Sequence, residues 1–169
     1  MAHADHVRDA PRHVRCALIT VSDTRTEETD ESGRYMRQAL EGAGHSVIYY
    51  RIVKDVPLQI RGEVAVLGET AACQAILLNG GTGIAPRDTT YDTLEKMLDK
   101  RLDGFGEIFR YLSYQEIGSG AVMSRAVAGT YRGRIVISLP GSTAAVQLAM
   151  EKLVLPELGH MVGTVSPPL

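Results

Sequence analysis

The stretch Ala75-Ile76-Leu77-Leu78-Asn79-Gly80-Gly81-Thr82-Gly83 decides the fold of this chain. An unbroken apolar run feeds a cluster of glycines. Ile84-Ala85-Pro86-Arg87-Asp88-Thr89-Thr90 follows, and a helical pattern then runs to about Leu98. The order is strand, glycine loop, helix. In that arrangement bare backbone N–H groups and a helix N-terminus face an anion. Asp88 sharpens the reading, because a carboxylate beside a phosphate repels it unless a cation stands between them. Mg²⁺ is the usual cation, held by one or two carboxylates and phosphate oxygens. The stretch predicts a magnesium-phosphate or nucleotide site. Simpler roles remain open: the glycines make a tight turn, and Asp88, Thr89 or Thr90 caps the helix, a contribution of about 0.5–2 kcal/mol. Arg87 suits a phosphate or a neighbouring carboxylate equally well.

Upstream, Arg15 to Val21 reads as a strand buried on both faces, followed by the loop Ser22-Asp23-Thr24 and a helix from Ser32 to Ala43. Ser46 to Val53 is a second strand. Lys54-Asp55-Val56 then opens a helix that starts at Pro57 and runs to about Glu69. Cys73 to Leu78 is the third strand. Downstream, Leu102 to Ile117 predicts a loop followed by a short helix over Ile108–Tyr114. Gly120 to Tyr131 fits helix or strand. Arg134 to Leu139 is a strand, Pro140-Gly141-Ser142 a turn with Ser142 as a natural N-cap, and Thr143 to Leu153 a helix that Leu155-Pro156 ends. Glu157 to Val162 makes a short last helix.

Strands alternate with helices throughout. That predicts one three-layer α/β domain over 14–165, with a mainly parallel sheet and helices on both faces. Residues 1–13 read as a flexible polar leader, with His13 solvated, and 166–169 as a tail. Parallel strands bring their loops to one edge, where ligands bind. Ser22-Asp23-Thr24, Lys54-Asp55, Gly80 to Asp88 and Pro140-Gly141-Ser142 are therefore expected near one another. Asp55 is a second carboxylate for a metal at that edge or an N-cap for its own helix. Asp23 and Glu107 read equally as solvated or capping acids.

Composition narrows the function. A net charge of −2, residues 1–13 without an apolar core, and no apolar run near the roughly 18 residues of a membrane span point to a soluble cytoplasmic protein that binds neither nucleic acid nor membrane. Cys16 and Cys73 lie far apart in apolar segments and read as buried thiols rather than zinc ligands or a disulfide. The glycine loop lacks the Gly-Lys-Ser/Thr ending of a P-loop, and Pro86 stands where a dinucleotide fold needs its third glycine. No nucleophile–base pair is visible. Phosphoryl-type transfer does not need one, since positioning and electrostatics supply most of its catalysis.

The run Gly80-Gly81-Thr82-Gly83-Ile84-Ala85-Pro86-Arg87-Asp88-Thr89-Thr90 resembles the signature of the molybdenum cofactor biosynthesis proteins of the MoaB/MogA type. Val21-Ser22-Asp23-Thr24, Asp55 with its helix, Gly104-Phe105-Gly106-Glu107, Phe109-Arg110, Ser124-Arg125 and Leu139-Pro140-Gly141-Ser142 fit in the same order. The likeness spans about residues 14 to 165. It implies molybdopterin binding and, in active members, Mg²⁺-dependent adenylylation of molybdopterin by ATP with release of pyrophosphate. It implies that Asp88 and Asp55 organise the metal and the transferring phosphate. Gly80, Gly81, Thr82 and Gly83 would shape the pocket, and Ser22, Asp23, Ser119, Gly141 and Ser142 would line it. A homotrimer or a hexamer of two trimers follows from the same likeness, as does hand-over to a molybdenum-insertion protein. Gly141-Ser142-Thr143-Ala144-Ala145 has no lysine after the turn, which is closer to the MoaB branch. Other roles on the same fold are a non-catalytic pterin-binding or assembly protein and a nucleotide pyrophosphatase of the competence-damage-inducible type.

Overall fold

Six strands form one sheet in the order β2-β1-β3-β6-β5-β4. The strands are β1 (Arg15–Val21), β2 (Ser46–Val53), β3 (Ala75–Asn79), β4 (Lys100–Arg101), β5 (Val127–Tyr131) and β6 (Arg134–Leu139). The helices are α1 (Glu31–Gly42), α2 (Pro57–Glu69), α3 (Thr90–Met97), α4 (Asp103–Ile117), α5 (Thr143–Ala149) and α6 (Leu155–Val165). The computed structural model describes residues 10–165. The expected leader, up to residue 9, and the tail at 166–169 lie outside the described residues. No helix among the described residues is long and apolar enough to cross a membrane.

β2, β1, β3 and β6 are parallel, and β5 and β4 run antiparallel at one side. The mainly parallel α/β expectation holds, with a mixed edge. β3 is buried along its whole length, as its apolar run requires in a sheet covered on both faces. Residues alternate between the layers, as a two-residue period dictates. On β1, Cys16 and Leu18 face α1, α4, α5 and α6, packing with Met36, Leu40, Phe109, Val146 and Val154. Ala17, Ile19 and Val21 face α2 and α3, with Ile60, Val64 and Leu94. Each such aliphatic side chain, fully buried, contributes about 1.5–3 kcal/mol. Cys16 and Cys73 are free and buried, and desolvation raises the Cys16 thiol to about 12.

Four departures from expectation have physical causes. α4 is one helix of 15 residues from Asp103, not a loop and a short helix. Phe105 and Phe109, one turn apart, both enter the core and carry the helix across Gly104 and Gly106. Gly106 is also where the helix meets the chain before β5, since a Cβ there would lie 2.7 Å from the Ala126 carbonyl. Pro156 does not break the last helix. A π turn over Met150–Val154 widens the backbone just ahead of the proline, so α5 and α6 run on through it. The ambiguous segment before β5 is a 3₁₀ turn, Gly118–Met123, after which the chain becomes a strand. β5 and β6 then form a hairpin whose two turn residues, Arg132 and Gly133, both have positive φ, as a two-residue turn demands. Finally, the end of the leader is docked. Gly159 and Gly163 of α6 lie against Pro11. The His13 ring bonds the Gly44 carbonyl at 2.6 Å and the Ser46 hydroxyl at 3.1 Å.

Candidate functional site

The parallel strands end in register. Val21 pairs with Val53, Thr20 with Asn79, and Asn79 with Leu139. Two backbone bonds knit the loops beyond that edge: Ser22 N–H to the Val53 carbonyl at 2.9 Å, and Gly80 N–H to the Leu139 carbonyl at 3.0 Å. All four expected loops therefore leave from one line. A cavity of about 170 Å³ opens there, lined by Ser22, Asp23, Asp55, Gly81, Arg87 and Asp88, with Val21 and Thr24. Residues from three separate loops converge on it, and the sequence singles out Ser22, Asp23, Asp55, Gly81, Arg87 and Asp88.

The glycines are there for contact as well as conformation. Gly80 and Gly81 have φ of +97° and +66°, in the left-handed region. A Cβ on Gly80 would lie 2.1 Å from the Val21 carbonyl, and one on Gly81 2.1 Å from the Thr90 hydroxyl and 2.3 Å from Asp55 Oδ2. A Cβ on Gly83 would strike Asp88 Oδ2 at 2.4 Å. Asp55 and Asp88 thus lie directly against the loop backbone. The N–H groups of Gly81, Thr82 and Gly83 make no hydrogen bond among the described residues, and Arg87 makes neither a hydrogen bond nor an ion pair among them. Gly81 and Arg87 line the cavity, whereas Thr82 and Gly83 stand outside its lining; a free backbone donor and a free guanidinium there are elements of an anion cradle.

Each carboxylate has one oxygen engaged. Asp88 Oδ2 accepts from Ala85 N–H at 3.0 Å, so Asp88 braces the loop and does not cap α3. Asp55 does not cap the helix that follows it. The N-cap position of α2 is Val56, with no side-chain bond. Asp55 Oδ1 instead accepts from Thr89 N–H at 3.0 Å, the Thr89 hydroxyl at 2.7 Å and the Thr90 hydroxyl at 3.4 Å. It holds the N-terminus of α3, 34 residues away, while Thr89 at the N-cap position makes no side-chain cap bond. Asp23 Oδ1 accepts from Asp55 N–H at 3.2 Å. Ser22 Oγ accepts from the N–H groups of Thr24 and Arg25, shaping its own loop.

Asp88 Oδ1 and Asp55 Oδ2 make no hydrogen bond among the described residues. That donor set suits Mg²⁺, which binds through one or two carboxylates and fills its shell with water and phosphate oxygens. Among the described residues no group of three or more His, Cys, Asp and Glu closes on one point, so the protein alone offers no complete metal cage. Gly141 stands against the glycine loop, its Cβ position 3.2 Å from Gly80 Cα. Ser142 caps α5 as expected, accepting from Ala145 N–H at 3.3 Å. Neither lines the 170 Å³ cavity. Thr82 is buried, and Ser119 is exposed on the 3₁₀ turn, outside that cavity.

Arg125 was quoted only as part of a motif, yet it anchors the loop. Its guanidinium donates to the Thr82 carbonyl at 2.9 Å and the Gly83 carbonyl at 2.6 Å, and to both oxygens of Asp92 at 3.0 Å. It also lies 4.4 Å from the ring centroid of Tyr91. The hydrogen bond from Arg125, helped by its charge, holds the Asp92 carboxyl below the usual carboxylate range. With its carbonyls turned to Arg125, the loop keeps its N–H groups for a ligand. An arginine 43 residues away gives no local signal of this role. A buried chain lies beneath the loop: Asn79 donates to the Thr20 hydroxyl at 2.9 Å, and Thr20 and Tyr50 donate to Asp30 at 2.5 and 2.6 Å.

Residues 17–160 match the family model described as "Probable molybdopterin binding domain". The chain belongs to the molybdenum cofactor biosynthesis protein B family. The member from Halalkalibacterium halodurans is 53% identical over 163 residues, 96% of each chain. A crystal structure of a molybdenum cofactor biosynthesis protein B is 48% identical and superposes with a TM-score of 0.91, over 95% of this chain and all of that one. The tungsten cofactor synthesizing protein MoaB from Pyrococcus furiosus is 34% identical, with a TM-score of 0.81 over 92% of this chain and 99% of that one. The glycine loop, Asp88 and Asp55 of this family member all fall inside the matched span.

Proposed function

We propose that this protein acts in molybdenum cofactor biosynthesis, binding molybdopterin and adenylylating it with Mg-ATP to release pyrophosphate. The observation that carries the reading is the 170 Å³ cavity where Asp55, Asp88, Arg87 and Gly81 converge. Family membership supports a pterin ligand, and the residues of the cavity support phosphate chemistry. The unbonded N–H of Gly81, with Arg87, binds the phosphate of the pterin and holds it in line for attack. Asp88 and Asp55 each present one free oxygen, and they would hold Mg²⁺, which neutralises phosphate charge when bound. Asp23 steadies the Asp55 loop, and Arg125 fixes the glycine loop from behind. Preorganised donors aimed at a transferring phosphate supply most of the catalysis that such reactions need.

A second reading, binding and assembly without catalysis, draws support from Asp55. Three donors already occupy its Oδ1, which marks a structural duty alongside any metal. An exposed apolar row on α4 and the turn after it supports assembly into a trimer or a hexamer. Ile108, Tyr111, Tyr114, Ile117, Val122 and Met123 are each at least half exposed. Hand-over to a molybdenum-insertion protein belongs to the same reading.

The test is to incubate the protein with molybdopterin, ATP and Mg²⁺ and to look for adenylylated molybdopterin by mass. Product that needs all three supports catalysis. Tight pterin binding with no product assigns the protein to the binding and assembly class.

A further inference from the structure

Asp88 and Thr89 line a second, larger cavity. It measures about 470 Å³ and lies between α2 and α3, walled by Pro57, Arg61, Pro86, Lys96 and Met97 among others. Two cations, from different helices, face it. Both side chains are exposed. Arg61 donates from Nε to the Pro57 carbonyl, a long bond of 3.4 Å within its own helix. Neither Arg61 nor Lys96 forms a salt bridge among the described residues. Of the two acids in the wall, one is paired and the other keeps one free oxygen. Asp92 is neutralised by Arg125, and Asp88 stands at the junction with the smaller cavity.

We propose that this groove takes the polyphosphate end of the nucleoside triphosphate. The inference rests on the adenylyl-transfer reading and assigns its two substrates to the two sides of Asp88. The pterin's terminal phosphate lies in the smaller cavity, on the glycine-loop donors. The β- and γ-phosphates lie in the groove, on Arg61 and Lys96. An oxygen of the pterin phosphate bonds to the α-phosphorus, and the bond from that phosphorus to the α,β-bridging oxygen breaks. The electron pair leaves with pyrophosphate, which gains negative charge as it departs. Cations placed where charge develops are what such a step requires. A volume of 470 Å³ falls in the range of nucleotide-sized sites, whereas 170 Å³ holds little more than a phosphate group.

The experiment is calorimetric binding of ATP, of AMP and of inorganic pyrophosphate, each with Mg²⁺, to the wild-type protein and to Arg61→Ala/Lys96→Ala. The wild type is expected to bind ATP more tightly than AMP. The double variant should lose about tenfold or more in affinity for ATP and pyrophosphate, the scale of a charge-assisted contact or two in an open site. Its affinity for AMP should stay the same. Arg61→Lys/Lys96→Arg, which keeps both charges, should recover most of the loss. Equal ATP affinity in the double variant and the wild type overturns the subsite and leaves the transfer reading standing. A wild-type protein that binds neither ATP nor pyrophosphate overturns both.

Discussion

Asp55 braces the fold with one oxygen and faces the candidate site with the other. Its Oδ1 satisfies the first donors of α3, while Oδ2 lies open against Gly81. Asp55→Ala strands a backbone N–H and two hydroxyls, and is expected to lower stability by about 1–3 kcal/mol. Asp55→Asn keeps an acceptor and should lose less, while losing the charge that would face a metal. Urea denaturation of both variants checks the split; equal stability in Asp55→Ala and wild type would remove the capping role. His45 carries the pH dependence at this scale. Its Nδ1 accepts from Val14 N–H at 3.2 Å, so the bond needs an unprotonated nitrogen. Burial, helped by His13, pushes its pKa below the usual 6.5. A depressed folded value means that the stabilisation is complete above about 6.5 and is lost as pH falls through the folded value. Denaturation midpoints measured from pH 7.5 downward should fall in this window, and His45→Asn should flatten that part of the profile. An unchanged profile would contradict it. The residues with local signatures were legible in the sequence: Asp88 beside its glycines, and Ser142 at its helix start. Asp55 was legible as an acid at the loop edge of the sheet, but the helix it caps was not, because the partner is remote in sequence.

At the scale of elements, the glycine loop is held from both sides. Asp55 and Asp88 brace one side, and Arg125 holds the other through two carbonyls, Asp92 and the Tyr91 ring. Arg125→Ala should release the loop and α3 together. Amide exchange over Gly80–Asp92 is expected to quicken, and affinity for a phosphate ligand to fall about tenfold or more, as for a lost set of charge-assisted bonds. Arg125→Lys should not rescue it, since an ammonium cannot span the two carbonyls, the carboxylate and the ring. Exchange as slow as in the wild type would show that the loop holds itself. Strands were legible where apolar runs were short and bounded by turn residues, as in β1, β3 and β6. α4 was read too short because Gly104 and Gly106 weaken the local helical pattern, and only the core contacts of Phe105 and Phe109 restore it. The run through Pro156 was hidden for a similar reason, since a π turn leaves no mark in composition. β4, two exposed residues, carries no periodicity at all.

At the scale of the molecule, the alternation of strands and helices was enough to place every loop that builds the cavity. Parallel strands ending in register do the rest. What the order of elements did not carry is how the two cavities divide at Asp88. The apolar row on α4 also acquires meaning only at this scale. Ile117→Asp is expected to shift the protein toward monomer in sedimentation, with the fold retained, because that side chain is exposed in the single chain. A variant that sediments like the wild type would contradict a subunit contact on α4. The account turns on Asp88, the one carboxylate shared by both cavities. Asp88→Asn is nearly isosteric and retains an acceptor for Ala85 N–H, so it removes charge and little else. The most direct measurement is pyrophosphate release from ATP by the wild-type and Asp88→Asn proteins, with molybdopterin and Mg²⁺ present. The account predicts pterin-dependent release by the wild type and its loss in the folded variant. Wild-type turnover by Asp88→Asn would contradict it and leave Asp88 as a brace for its own loop.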